Sequence, residues 1–391
     1  MNLTALDVGF IPLFDAAPLI CAHEMGFAQE EGLDLRLHAH PSWSSLRDKL
    51  CFGQLDAAHM LSVVPVASAL GLGGSAMALH ALSVLSVNGN VIGVSQEMAA
   101  KMAAAHHDFA FSDARMAGEA LIAAAPEGLR IGVPFPFSMH AELVYYWLSA
   151  LGLPAPQMLM VRTVPPAQMA DALVAGEIDA FCVGEPWGSR AVEAGVGTLL
   201  LPCSAIWSFA PEKVLAVRGD WADGNRDIAH RLIRALWRAG RWLAKPESAQ
   251  IIPEILSKQH YLNLPAELLE HALTGHFTIS PNGETRVAAG FVEFFEGAAT
   301  FPWRSQAEWI GTRLTARNGL DRTASAEAAR GTFRSDIYRA ALTGTAPNLP
   351  TASAKLEGAV ETPLAAGSMG SSLILERNAF FDGRIFEPAT P

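Results

Sequence analysis

The chain has 391 residues, half of them hydrophobic and 17% charged, with a formal net charge of −11. That length allows two or three domains with sizeable cores, and the composition is that of a globular protein, not a disordered one. The acidic balance argues against direct nucleic-acid binding, which wants a basic face, but leaves room for a small anion held by local donors.

Met1-Asn2-Leu3-Thr4 runs straight into a strand expected at residues 5–12. There is no basic n-region, apolar h-region or A-x-A site, so, taken as the native start, this opening keeps the protein in the cytoplasm. A helix around residues 16–26 and a strand at 33–38 come next. Pro41-Ser42-Trp43 then opens a helix that ends at Gly53. Residues 57–96 contain no Asp, Glu, Lys or Arg, yet Pro65, Gly71, Gly73 and Gly74 interrupt them. A membrane-spanning helix needs about 20 continuous apolar residues. The expectation is therefore a buried strand, an apolar helix and a second strand, with no membrane insertion.

A strand at 90–94 and an Ala-rich helical region at 96–125 follow. The spacing then predicts a strand at 129–133, a helix at 139–151 stopped by Gly152 and Pro154, and a strand at 158–164. Pro165-Pro166 feeds a helix ending at Gly176. Gly184-Glu185-Pro186-Trp187 starts a short helix, and residues 214–217 read as a strand crossing back. Strands alternating with helices in this way predict parallel sheets with helical covers, an α/β fold. Helices dominate from Trp221 to about residue 343. Residues 345–372, rich in Pro, Ala, Gly, Ser and Thr, read as a mobile strap, and 373–391 as a tail that docks through Phe380, Phe381 and Phe386.

One phrase occurs twice. Gly53-Gln54-Leu55-Asp56-Ala57 returns as Gly176-Glu177-Ile178-Asp179-Ala180, each time after a helical stretch and before a strand. Each glycine is placed to end its helix in the left-handed conformation. A helix-Gly-strand unit in both halves implies two similar lobes with a cleft between them, an architecture that closes on small ligands.

Catalytic signatures are missing. The chain holds no G-x-S-x-G elbow, H-E-x-x-H, phosphate loop or G-x-G-x-x-G after a strand. Cys21, Cys51, Cys182 and Cys203 have no metal-binding spacing and read as buried free thiols, their even number leaving a disulfide open. No catalytic residue, metal or cofactor is expected.

Several strings carry a resemblance: residues 9–20 around Phe14-Asp15-Ala16, then Trp43 before Arg47-Asp48, Asp56-Ala57-Ala58-His59, Phe181-Cys182-Val183-Gly184-Glu185-Pro186-Trp187, Pro211-Glu212-Lys213, and Phe381-Asp382-Gly383. Together they resemble the NrtA/CmpA family of nitrate- and bicarbonate-binding proteins over nearly the whole chain. The resemblance implies a two-lobed periplasmic-binding-protein type II (Venus-flytrap) fold. Lobe I would comprise residues 1–93 plus 212–344, lobe II 94–211, and the strap and docking tail 345–391. It also implies a ligand site: Trp43 lying against the anion, Asn90 where the nitrate binders have a longer glutamine, His140, the backbone N–H of Gly184, and Lys213. The resemblance implies, at the last position, an acidic residue tied to calcium in the bicarbonate binders, so Lys213 favours nitrate and argues against calcium. Apart from the resemblance, Trp43 would be a packing indole, His140 a capping or core residue, Lys213 a solvated charge and Gly184 a turn glycine. Glu185 and Trp187 are expected to hold their loop, and His59 to lie either just behind the ligand contacts or in the core.

The expected role combines this fold with the N-terminus. A cytoplasmic nitrate/nitrite sensor, similar to the NasS type, would release an RNA-binding NasT-like ANTAR antiterminator when the anion closes the lobes. The alternative is the substrate-binding component of an ABC-type uptake transporter for nitrate, less so for bicarbonate.

Overall fold

The computed structural model describes residues 3–74, 77–154, 157–368 and 373–389. The first two residues and the last four of the expected strap lie outside these. Ten strands form the frame: β1 (Thr4–Phe10), β2 (Leu33–Ala39), β3 (Ala57–Leu61), β4 (Leu79–Asn88), β5 (Asn90–Ser95), β6 (Leu129–Val133), β7 (Leu159–Thr163), β8 (Ala180–Gly184), β9 (Gly197–Pro202) and β10 (Pro211–Arg218). Four helices matter most for function: α1 (Trp43–Cys51), α2 (Met139–Ala150), α3 (Met169–Val174) and α4 (Arg304–Asn318).

The strands make two sheets of the same design. One runs β4-β10-β3-β1-β2, with the short strand Val292–Glu293 added beyond β4; the other runs β7-β6-β8-β5-β9. In each, the first strand lies parallel to its two neighbours, and an antiparallel strand fills the next slot: β10 beside β3, β5 beside β8. Both antiparallel strands arrive from the opposite lobe, so the chain crosses twice. The first crossing corrects the expected boundary after residue 93. β5 pairs with β8 from Asn90 onward, which moves the crossing to Gly89 and puts Asn90 in the second sheet.

The repeated phrase performs the same work twice. Gly53 and Gly176 have φ of 71° and 65°. Each donates its N–H back into its helix, to Leu50 and Leu173, and the next residue donates to Lys49 and Ala172, which is the Schellman arrangement. Asp56 Oδ2 accepts the N–H of Asp7 at 2.9 Å, and Asp179 Oδ2 accepts that of Arg130 at 2.9 Å. Each aspartate thereby ties its turn to the strand one in from the edge of its sheet, β1 in one and β6 in the other. A Cβ on Gly9 of β1 would meet Leu46 and Leu55 at 2.4 and 2.7 Å; one on Gly132 of β6 would meet Ile178 and Met169 at 2.8 and 3.1 Å. Helix and strand therefore approach equally closely in both lobes.

The Ala-rich region expected at 96–125 is two helices, Gln96–Ala104 and Ala114–Ala124, parted by a loop with His106, Phe109 and Phe111 at positive φ. Cys21, Cys182 and Cys203 are buried thiols, with the Cys182 and Cys203 sulfurs 3.5 Å apart, whereas Cys51 is only half-buried. No helix among the described residues is long and apolar enough to cross a membrane.

The C-terminal region ties the lobes together. Ser353 of the strap is anchored, its carbonyl accepting from Arg304 at 2.9 Å and its hydroxyl from Arg339 at 3.0 Å. Farther on, Phe380 stacks on Trp309 of α4, and Asp382 accepts the Tyr146 hydroxyl of α2 at 2.7 Å. Arg317 of α4 grips the fully buried Glu142 of α2 with both guanidinium nitrogens. Breaking a buried pair from one side leaves an uncompensated charge. Arg317→Ala is expected to lower stability by about 3 kcal/mol, the low end of the range for such pairs because Arg317 is partly exposed. Urea unfolding should show the loss, with partial recovery in Arg317→Ala/Glu142→Gln.

Candidate functional site

β10, apolar from Val214 to Val217, carries two buried charged residues near its start, Glu212 and Lys213. Neighbours on a strand normally face opposite sides, but the pairing register with β4 slips on both sides of Lys213. This irregularity lets both side chains reach the same place. Lys213 Nζ lies 3.0 Å from Glu212 Oε1 and 2.5 Å from Asp15 Oδ2. Asp15 comes from the turn after β1 (Phe14–Ala16), and its other oxygen lies 3.0 Å from His59 Nε2 of β3. His140, in the first turn of α2, brings Nδ1 to 3.3 Å from Glu212 Oε1, bridging the two lobes. Ser138 caps that helix, accepting the N–H of Ala141 at 3.2 Å.

The sequence-predicted residues converge on this cluster. Trp43, in the first turn of α1, lies with its ring 5.6 Å from Lys213 Nζ and 5.7 Å from the His59 ring. Asn90 and Gly184 are directly paired on β5 and β8. A Cβ on Gly184 would sit 3.4 Å from Asn90 Oδ1 and 3.7 Å from Asp15 Oδ2, so its bare backbone borders the cluster. The expected grouping of Asn90 with Trp43 does not hold; Asn90 stands with Gly184 and His140, across the cleft from Trp43 and Lys213. Trp187 holds its loop as expected, its indole N–H donating to the Pro12 carbonyl at 3.1 Å, and Phe14 donates to the Glu185 carbonyl at 3.0 Å.

Asp15 and Glu212 were missed as site residues. A carboxylate inside an apolar run was the available signal, because a buried lysine needs an opposite charge beside it.

Burial works against every charge in the cluster. At Asp15, Lys213 and His59 overcome it and hold the carboxyl well below the usual carboxylate range. At Lys213, Asp15 and Glu212 overcome it and keep the ammonium above its ordinary value. Glu212 is pushed up by burial, which Lys213 offsets only in part. His140 is driven well below the ordinary imidazole value by burial and then by Lys213, and His59 is lowered by burial against the pull of Asp15. The result is a salt-bridged lysine flanked by two neutral imidazoles.

Around it, buried polar atoms stand without a well-formed hydrogen bond: Trp43 Nε1, both amide atoms of Asn90, His140 Nε2, His59 Nδ1 and Ser86 Oγ. Leaving such a group unsatisfied costs about 1–3 kcal/mol. Concentrated beside an ammonium, they form a cradle biased toward donors, suited to a ligand with several acceptor atoms and a negative charge. A separate groove of about 470 Å³, lined by Asn88, Phe209 and Gly290 among others, touches none of these groups.

The buried imidazoles predict an acid response. A histidine with a depressed folded pKa contributes stability that is complete above the unfolded value of 6.5 and is lost as pH falls below it. His140→Asn removes one such group. Between pH 6.5 and 5.5 the variant is expected to lose about 1 kcal/mol less stability than the parent, measured by urea unfolding at both values.

Residues 1–257 match the NMT1-like family. The nitrate/nitrite binding protein NrtA of a Nostoc species is 28% identical over the whole of this chain and 84% of its own length. The nitrate import ATP-binding protein NrtC of Synechocystis is 32% identical over 319 residues, which is 81% of this chain; the match spans 46% of that relative, about half its length. The crystal structure of the periplasmic nitrate-binding protein NrtA from Synechocystis superposes with a TM-score of 0.84 at 28% identity, covering 99% of this chain and 96% of that one. The fold is thus the α/β, two-lobed fold of periplasmic binding proteins.

Proposed function

The chain belongs to the NMT1-like family, and on that basis we propose that it is a binding protein, not an enzyme, which closes its lobes on nitrate or nitrite. The observation that carries this reading is the set of unsatisfied buried donors around Lys213. A planar anion would lie against the Trp43 indole and accept from Lys213 on one side of the cleft. Asn90, His140 and the Gly184 N–H would hold it on the other. Closure would bind the two lobes through the ligand, and it is favoured only to the extent that the anion prefers the closed form.

The relatives include proteins of nitrate import and of bicarbonate transport, and the NrtA binding proteins are matched over the whole chain, so the role we favour is the substrate-binding component of an ABC-type nitrate transporter. This takes precedence over the sensor coupled to a NasT-like antiterminator. Cell fractionation separates them: an uptake role places the protein with the permease, a sensor role in the cytoplasm. Binding itself is tested by calorimetric titration of anion-stripped protein with nitrate, nitrite and bicarbonate. Saturable heat with nitrate or nitrite is expected. Binding of bicarbonate alone would overturn the reading.

A further inference from the structure

We propose that the anion enters this site together with one proton, taken up by the Glu212–His140 pair. The inference rests on the anion-binding reading above and adds to it a coupling to pH.

Glu212 is faced by Lys213 from its own strand, Asp15 from the turn after β1, and His59 of β3 behind Asp15. From the other lobe it is faced by His140 of α2, Asn90 of β5 and Cys182 of β8. Ser86 of β4 pairs with Lys213 across the sheet. Asp15, His59, His140, Glu212 and Lys213 are all buried. With both carboxylates ionised and both imidazoles neutral, the cluster holds two negative charges against one positive. A monovalent anion added to it makes three against one, among groups that are all shielded from bulk solvent. Uncompensated buried charge is strongly unfavourable, and buried groups neutralise instead.

One proton restores the original balance. Glu212 and His140 lie 3.3 Å apart, close enough to share it and titrate as a unit. Placed there, the proton also turns the pair into a donor toward the ligand through Nε2 of His140, which stands without a well-formed hydrogen bond in the protein. Lys213 cannot take this part, since it is already an ammonium. Asp15 cannot either, because Lys213 and His59 both favour its charged form.

The test is calorimetry of nitrate binding near pH 8 in two buffers of different ionisation enthalpy, Tris and HEPES. The expected result is uptake of close to one proton per anion, with affinity strengthening toward tenfold for each unit the pH is lowered. Glu212→Gln removes one of the negative charges. That variant should bind with no proton uptake, with pH-independent affinity, and more tightly than the parent near pH 8. Saturable nitrate heat with no buffer dependence in the parent would overturn the coupling while leaving the anion reading intact. Unchanged uptake in Glu212→Gln would overturn the assignment to this pair. If nitrate produces no heat in any buffer, the anion reading falls and the coupling falls with it. The parent's buffer series decides the matter even if the variant does not fold.

Discussion

Replacing Lys213 by glutamate is expected to abolish nitrate binding, with affinity falling by more than about 100-fold. A hydrogen bond to a charged group contributes about 1.5–3 kcal/mol, and each 1.4 kcal/mol is tenfold in affinity. The substitution also reverses the sign of the charge offered to the anion. Three carboxylates would then share one buried pocket, those of residues 15, 212 and 213. Breaking a buried ion pair from one side costs about 3–5 kcal/mol, a large fraction of the 5–15 kcal/mol that holds a typical domain. Circular dichroism must therefore accompany the titration. Lys213→Gln is the milder change: it breaks the same ion pairs but keeps a donor and adds no third carboxylate, and where circular dichroism shows a folded protein it should weaken binding by about 10–100-fold. A folded Lys213→Gln protein with parental affinity would remove Lys213 from the site.

Gly184→Val should block the site by volume alone. Gly184 needs no left-handed backbone, so the strand accepts a side chain there. Its Cβ would already lie 3.2 Å from Leu13 Cδ2 and 3.4 Å from Asn90 Oδ1. The two further methyl groups of valine would start from a Cβ already bordered by Leu13, Asn90 and Asp15. Overpacking of this kind costs about 1–3 kcal/mol in stability, which most domains survive. Binding should suffer more, by about 100-fold or beyond, because the methyls displace the ligand and cover the backbone N–H that Gly184 would offer. Gly184→Ala should fall between parent and valine. If nitrate binds Gly184→Val as well as the parent, the anion does not lie against β8.

Much of this was legible in the sequence where the signal is local. A glycine that ends a helix and an aspartate that opens the following strand occupy adjacent positions, so Gly53/Asp56 and Gly176/Asp179 could be read directly, and with them the two-lobe plan. Trp43 and His140 came from the family resemblance, since a helix start after a serine cap is equally a place for a packing indole or a capping histidine. Where sequence reading failed, the deciding contact was distant or the geometry irregular. Asp15 acquires its role from Lys213, 198 residues away. Glu212 joins the site because β10 departs from regular alternation, which no period-two pattern reveals. Asn90 was placed in the wrong lobe because one glycine separates two strands of different sheets, and a continuous apolar run does not show where the chain changes partner.

The exchange of antiparallel strands between the lobes sets an order for synthesis on the ribosome. Every strand of the β7-β6-β8-β5-β9 sheet comes from the continuous stretch of residues 90–202. The other sheet has five of its strands emerging with or before its neighbour, or long after it, but its centre is filled by β10, which takes its place between β3 and β4. While the inner lobe is being made, and until residue 218 has left the tunnel, the outer lobe has a gap one strand wide, bordered by two apolar strands with unpaired backbone. Such edges pair readily with other chains. The nascent protein therefore passes through a stage in which its second lobe is finished and its first is open, and the edges of β3 and β4 are the surface that a chaperone has most reason to cover.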